Sequence, residues 1–342
     1  MRIPVLAIDG MGGDYGIDSV FPGIEYFMQN YAYVKVDFVV YGDSDAINKK
    51  YGNLISKYGI KIIHSDNVIN SHDKPSIAIR NSKGSSMRMA IESVAEKEAD
   101  ACISSGSTGA LMGLSKMIIK THECIDRPAI CSLIPNDQSQ VVFLDLGANT
   151  ECSAKNLFEF AVMGSAFARV ILKREKPRIG ILNIGSEETK GRQELMDAFN
   201  LITQSHLGEN FIGYIEPNNV MNNMADVVVT DGFTGNIFLK TLEGSMKMAK
   251  NILTKSFRSN ISSMIGYSFA KSSLNKNLNT IDPNLHNGAM FIGLNGISIK
   301  SHGSATEVGF ANAIRVASEM VLSDVNQRLQ LDIGDLYKQK EI

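Results

Sequence analysis

The chain has 342 residues, 44% of them apolar and 20% charged, which suits a globular protein large enough for a full core. Its formal net charge of -2 excludes a globally basic nucleic-acid binder and leaves only local basic patches. No run of about 18 apolar residues is present to span a membrane, and no charged-then-apolar leader opens the chain. The four cysteines lack CxxC spacing, so free thiols in a reducing cytoplasm are expected rather than a zinc site.

Along the chain, short apolar runs lead repeatedly into Gly-rich polar turns and then into amphipathic stretches. Ile3–Ile8 precedes Asp9-Gly10-Met11-Gly12-Gly13-Asp14, and Val36–Tyr41 precedes Gly42–Asp45. Ala101–Ile103 precedes Ser104–Gly109, and Val141–Leu146 precedes Gly147-Ala148-Asn149-Thr150. Ile179–Ile184 precedes Gly185–Gly191, Val227–Val229 precedes Thr230–Asn236, and Ile297–Ile299 precedes Ser301–Ser304. The runs are Val- and Ile-rich and do not alternate, as strands buried on both faces do. Strand, turn and helix in repetition predict a mostly parallel sheet with helices on both faces. In such sheets the turns at the carboxyl ends of the strands share one rim, where ligands bind.

Residues 244–281 break the pattern. They contain no Asp or Glu, carry six Lys or Arg, and space Met246, Ala249, Leu253, Phe257, Ile261 and Met264 as a helix would. A helical hairpin with an apolar tip near Met264–Phe269 is predicted. It would serve as a buried interface, a membrane contact or a dock for an acidic partner. No linker divides the chain, so residues 1–342 read as one domain with the 244–281 hairpin as an extension.

Several motifs fail. A GxGxxG match from Gly10 would need Gly at position 15, which is Tyr15. No GxxxxGK[ST] occurs, and Ser107 lacks a GxSxG frame. What remains is backbone N–H groups freed by Gly, Ser, Thr and Asn side chains, and Lys190. At helix starts these suit an oxyanion. Ser107 and Thr108 are equally good helix caps, and Lys190 read alone is a solvated loop residue.

Seven stretches in order resemble the phosphate acyltransferase (PlsX) family over nearly the whole chain. They are Ile8–Asp14, Gly106–Met112, Leu144–Asn149, Ile184–Gly191, Thr230–Asn236, Lys240–Gly244 and Ser301–Gly303. Asp282–Gly288 departs from the family's usual Asp-Tyr-Ser-Glu-Tyr-Gly-Gly. The resemblance implies a three-layer α/β/α sandwich like isocitrate and isopropylmalate dehydrogenases and phosphotransacetylase, with a protruding helical hairpin. It implies transfer of a fatty acyl group from acyl carrier protein to inorganic phosphate, giving acyl phosphate for phospholipid synthesis. It also implies a homodimer without metal or organic cofactor, in loose association with anionic membrane.

On this reading the enzyme has to hold anions and stabilise an oxyanion, because phosphate near pH 7 is already nucleophilic. Lys190 is assigned to charge stabilisation, and Asn236 with the Thr234–Gly235 backbone to hydrogen bonding. Thr108, Gly109 and Asn149 form the phosphate cradle, with Ser107, Asp9 and Asp231 in the same substrate-binding set. His302 either protonates the departing thiolate or caps its turn. Met264, Ile265, Phe269, Lys255 and Arg258 are the candidate membrane or carrier contacts. Lys74, Arg80, Lys83 and Arg88 form a second basic stretch. Three competing readings are a coenzyme A phosphotransacetylase, a carrier-binding scaffold and a dehydrogenase.

Overall fold

The Val- and Ile-rich runs pair into one sheet of eleven strands, seen in a computed structural model that describes residues 2–70, 73–279, 285 and 287–338. In chain order the elements begin with β1 (Val5–Asp9), α1 (Ile17–Asn30), β2 (Asp37–Gly42), α2 (Ser44–Tyr58), β3 (Lys61–His64), α3 (Pro75–Arg80), α4 (Ser86–Ala95), β4 (Ala101–Ser104), α5 (Thr108–Ile118), β5 (Ala129–Pro135) and β6 (Gln140–Leu144). They continue with α6 (Ala154–Ile171), β7 (Ile179–Leu182), α7 (Gln193–Thr203), β8 (Phe211–Ile215), β9 (Val227–Val229), α8 (Gly232–Phe257), α9 (Ile261–Asn279), β10 (Ala289–Ile292), β11 (Ile297–Lys300), α10 (Glu307–Leu322) and α11 (Val325–Lys338).

Side chains alternate across the strands and build two cores. Leu6 and Ile8 of β1 join Ile24 of α1, Phe160 of α6 and Phe310 of α10 on one face. Ala7 of β1 and Cys102 of β4 join Met87 of α4 and Leu111 of α5 on the other, where Phe238 of α8 also packs. The result is the expected three-layer α/β/α arrangement. Local chemistry fixes the helix starts. Asp43 accepts from the N–H groups of Asp45 (3.0 Å) and Ala46 (3.2 Å) to begin α2. Ser153 and Asn156 form a reciprocal capping box at α6.

The strand order is β3-β2-β1-β4-β11-β10-β5-β6-β9-β7-β8. Adjacent strands are parallel except at β11–β10, β10–β5 and β5–β6. These three antiparallel pairs reverse the sheet. β1, β2, β4 and β11 run one way, whereas β6, β7 and β9 run the other. The Gly-rich turns therefore do not share one rim. Those after β1, β4 and β11 lie at one edge and those after β6, β7 and β9 at the opposite edge. The sequence pattern carries strand positions but not direction: β10 is antiparallel to both neighbours, so β5 runs with β11, and the β5–β6 hairpin turns the second half around.

The acid-free segment is helical, with two corrections. α8 begins at Gly232, well before residue 244, so its basic part is the far half of a 26-residue helix. The hairpin turns at Arg258-Ser259-Asn260, where Asn260 Oδ1 accepts from the Ser263 N–H (2.8 Å) and caps α9. Met264–Phe269 thus lie along the first turns of α9, not at the tip, and Phe269 is 87% exposed. Among the described residues no helix is long and apolar enough to cross a membrane. Residues 280–284 and 286 lie outside the described residues, together with most of the stretch that departs from the family pattern. His72 and residues 339–342 also lie outside them.

Candidate functional site

The site is built from the end of β6 outward. Asp145 follows that strand and is fully buried. Its Oδ1 accepts from the N–H groups of Ile130 (2.9 Å), Gly147 (3.2 Å) and Ala148 (3.0 Å). Its Oδ2 accepts from Asn149 N–H (2.7 Å) and Asn149 Nδ2 (2.9 Å). Burial raises the carboxyl above its usual range, and these donors oppose the rise. Asn149 donates its amide to Pro128 O as well (2.9 Å), and its carbonyl accepts from Gly232 N–H (2.7 Å). One buried carboxylate thereby ties the 145–149 turn to the first residue of α8.

Asp231 caps α8. Its carboxylate accepts from Thr234 N–H (2.9 Å) and Thr234 Oγ1 (2.9 Å), and Arg192 pairs with it from the β7–α7 loop. Glycine is required here. A Cβ at Gly232 would stand 2.8 Å from Asp145 Oδ2, and one at Gly235 would overlap the Asp145 carbonyl. The close approach brings Asn236, exposed on the first turn of α8, over Gly147; a Cβ there would meet Asn236 Cβ at 3.5 Å. Lys190 stands in the neighbouring loop, ion-paired to Glu187 at 2.6 Å with both side chains about half exposed. The pair holds the Glu187 carboxyl below its ordinary value. Asn183 Nδ2 donates to Lys190 O (2.9 Å) and fixes the loop. An exposed pair of this kind contributes little to stability, so an arriving anion can take Lys190 from Glu187 at small cost.

The opposite edge has its own organiser. Asp9 is buried and accepts from Ser86 Oγ (2.6 Å) and Ser104 Oγ (2.6 Å). Burial raises its pKa, and the two hydroxyls lower it. Asp14 N–H donates to Gly303 O (2.8 Å), which joins the β1 and β11 turns. Lys300 donates to Ser105 O (3.2 Å) and to Ser301 O. Burial pushes its ammonium down to about 8, with Asp9 pulling the other way. Beside it Ser105 presents a buried hydroxyl without a hydrogen-bond partner among the described residues. The α5 helix starts at Thr108 with Ser107 in the cap position, and no side-chain cap covers its N–H groups.

α8 reunites what the strand reversal separates. It crosses the sheet with Phe238 stacked on Phe143 of β6 at 4.8 Å between ring centroids. One turn beyond Asn236 on the same helix face, Lys240 reaches His302 Nε2 at 2.9 Å. Lys240 also pairs with Glu243 (2.8 Å). His302 Nδ1 lies 2.9 Å from Ser304 Oγ. Burial, then the Lys240 charge, hold the His302 imidazole below its ordinary pKa, so it is neutral near pH 7. Both ring nitrogens face donors, the Lys240 ammonium at Nε2 and the Ser304 N–H at Nδ1 (3.2 Å), which adds to the cost of protonating the ring.

The structure thus brings Asn236, Thr234, Gly235, Asp231 and Asn149 together, with Lys190 in the adjacent loop. It places Asp9, Ser107, Thr108 and His302 at the other edge, and α8 joins the two groups. Gly109 packs against Pro75 of α3, which a Cβ there would meet at 2.7 Å. Asp9, Asn149 and Asp231 spend their side chains holding the turns. Lys255 and Arg258 lie roughly 30 Å down α8 from Asn236 at 1.5 Å per residue. Sequence reasoning missed Asp145, Arg192, Lys240 and Lys300. Lys240 and Asp145 sit inside the quoted motifs, but nothing in a motif says which member is buried.

The fold is that of phosphotransacylases. A branched-chain phosphotransacylase from Enterococcus faecalis superimposes with a TM-score of 0.60 at 12% identity, covering 93% of this chain and 99% of that one. The EutD phosphotransacetylase of Staphylococcus aureus gives 0.54 at 16% identity, covering 96% and 94%. The model of a family described as "Fatty acid synthesis protein" matches residues 4–328. The phosphate acyltransferase of Paramagnetospirillum magneticum is 41% identical over 332 residues, 97% of this chain and 94% of its own. That of Ehrlichia ruminantium is 39% identical over 330 residues, 95% and 96%. The chain belongs to the phosphate acyltransferase (PlsX) family and is an acyltransferase of fatty acid synthesis.

Proposed function

We propose that the chain, acting as one domain over residues 1–342, transfers a fatty acyl group from the thioester of acyl carrier protein to inorganic phosphate. A phosphate oxygen attacks the thioester carbonyl, the new C–O bond forms, the C–S bond breaks, and the carrier leaves as a thiolate that takes up a proton. The products are acyl phosphate and free carrier thiol.

The observation that carries the reading is the front of α8. Its first turn, Asn236 and Gly147 face a loop that holds Arg192, paired to the buried Asp231, and Lys190, whose exposed pair with Glu187 an anion can replace. A dianionic nucleophile needs no strong base, so cations and N–H donors set around the tetrahedral oxyanion meet the main demand. Lys190 stabilises that charge, Asn236 donates to it, and Thr108 with the uncapped start of α5 offers a second set of donors. His302 is neutral and lies against the Lys240 ammonium, so the pair is placed to return a proton to the thiolate. The exposed apolar residues Met264, Ile265 and Phe269 of α9, with Lys255 and Arg258 at the end of α8, support contact with the carrier, an anionic membrane or a second copy in a homodimer.

The test is turnover with palmitoyl-loaded carrier protein, with and without phosphate. The readouts are free carrier thiol and hydroxylamine-trappable acyl phosphate. Lys190→Met is expected to lower turnover by about a hundredfold, the scale of one lost oxyanion donor. A folded variant with unchanged turnover removes Lys190 from the site. Turnover of acetyl-coenzyme A with none of the carrier thioester removes the carrier as donor.

A further inference from the structure

On the face of the sheet opposite α5 and α8, a cavity of about 820 Å³ opens between α6 and α10. Leu133 of β5 and Met290 of β10 line its floor, Phe167 and Val170 one wall, and Val316 and Met320 the other. None of these residues belongs to the site at α8. The lining is mainly hydrocarbon, and Asn312 already spends its amide on Asn287 O (2.7 Å) and on Arg315 Nε (2.9 Å). The space lies in the range of roughly 300–1,000 Å³ usual for small-molecule sites.

Four cationic side chains, Arg2, Lys35, Lys173 and Arg315, line the same cavity against one carboxylate, Glu319. Arg315 is paired with Glu319 (2.6 Å) and Arg2 with Asp100 (2.9 Å). Lys173 rests its ammonium on the Val170 carbonyl (2.6 Å). Lys35 has no ion pair among the described residues. Apolar walls with surplus positive charge fit one hydrocarbon chain that ends in an anion.

We propose that this cavity binds a single-chain anionic amphiphile, a long-chain fatty carboxylate or phosphate, with its tail between α6 and α10 and its head at Lys35 and Lys173. The cavity is linked to the α8 site by hydrogen bonds. Asn287, held by Asn312, donates Nδ2 to Ser301 Oγ (2.8 Å) and accepts the His302 N–H at Oδ1 (2.8 Å).

The test is calorimetric titration of the full chain, in phosphate-free buffer and below micelle concentration, with laurate, myristate, palmitate and hexadecyl phosphate. One saturable site per chain is expected, with affinity rising on the order of tenfold per two added methylenes. Val316→Trp fills the cavity from α10 and is expected to weaken binding at least about tenfold, as several methylenes lose their contacts. Lys35→Glu is expected to weaken it severalfold. Both variants are expected to retain phosphate-dependent turnover, so a failed titration leaves the acyl-transfer reading untouched. Preference for palmitate over hexadecyl phosphate, or the reverse, identifies the head group, and either supports the site. Absence of saturable binding by both, equal binding of hexadecanol, or binding that Lys35→Glu leaves unchanged overturns it. If Val316→Trp fails to fold, Lys35→Glu and the hexadecanol comparison still decide.

Discussion

Gly235→Ala tests whether the contact between α8 and the β6 turn sets the chemistry. The added Cβ would overlap the Asp145 carbonyl oxygen and crowd Thr230 Cγ2 at 3.1 Å. Asp145 has no freedom to retreat, because its side chain and the following N–H groups hold one another. α8 has to move instead, by about 1 Å or more to regain van der Waals separation. Overpacking costs about 1–3 kcal/mol, and the helix preference of Ala over Gly returns about 1 kcal/mol. Stability therefore falls only modestly. Turnover falls much further, because Asn236 travels with the helix and a displacement near 1 Å costs about a hundredfold. The assay is phosphate-dependent release of carrier thiol, read beside the melting temperature. Gly244→Ala is the control, since nothing stands within 4 Å of a Cβ there. It is expected to stabilise by about 0.5–1 kcal/mol with turnover unchanged. A Gly235→Ala enzyme with full turnover would refute the argument.

Asp145→Asn replaces one acceptor oxygen with a donor that faces N–H groups. It is expected to cost about 2–4 kcal/mol and to lower the urea midpoint; an unchanged midpoint contradicts the organising role. His302 gives a pH signature. Its folded pKa lies below the unfolded value of about 6.5, so the unfolded chain binds the proton first and stability falls as pH drops below that value. Lys240→Met removes a like charge and is expected to shift the His302 titration upward by NMR; no shift means the two groups are not coupled. Met264→Glu with Ile265→Glu is expected to weaken sedimentation with anionic vesicles and leave turnover in solution intact. Equal sedimentation removes α9 from membrane contact.

The strands that the sequence reveals are the ones buried on both faces. Val227–Val229 and Ile179–Leu182 are uniformly buried and read as continuous apolar runs. Lys61–His64 escapes such reading because β3 is a half-exposed edge bounded by Lys and His. Ala289–Ile292 escapes because four residues carry no periodicity. The pattern shows Thr230–Asn236 as a turn running into a helix, and the start of α8 at Gly232 is hidden because Gly232 and Gly235 are poor helix formers. Their presence is explained only by the backbone they touch. Asp9, Asn149 and Asp231 are visible as turn residues, and their use as ties inside the protein depends on partners far along the chain. Lys240 and His302 are 62 residues apart, and only the crossing of α8 joins them.

The place of β11 has a consequence for synthesis. It lies between β4 and β10, and Lys300, which bonds Ser105 O, is 195 residues downstream of it. At roughly 5–20 residues per second, ribosomes need about 10–40 s to supply the strand that covers β4. Through that interval the nascent chain presents a buried-type strand with an open hydrogen-bonding edge, which invites pairing with other chains. The first half of the protein is thus completed last, and chaperone cover during translation is expected to matter more for its yield than for its final stability.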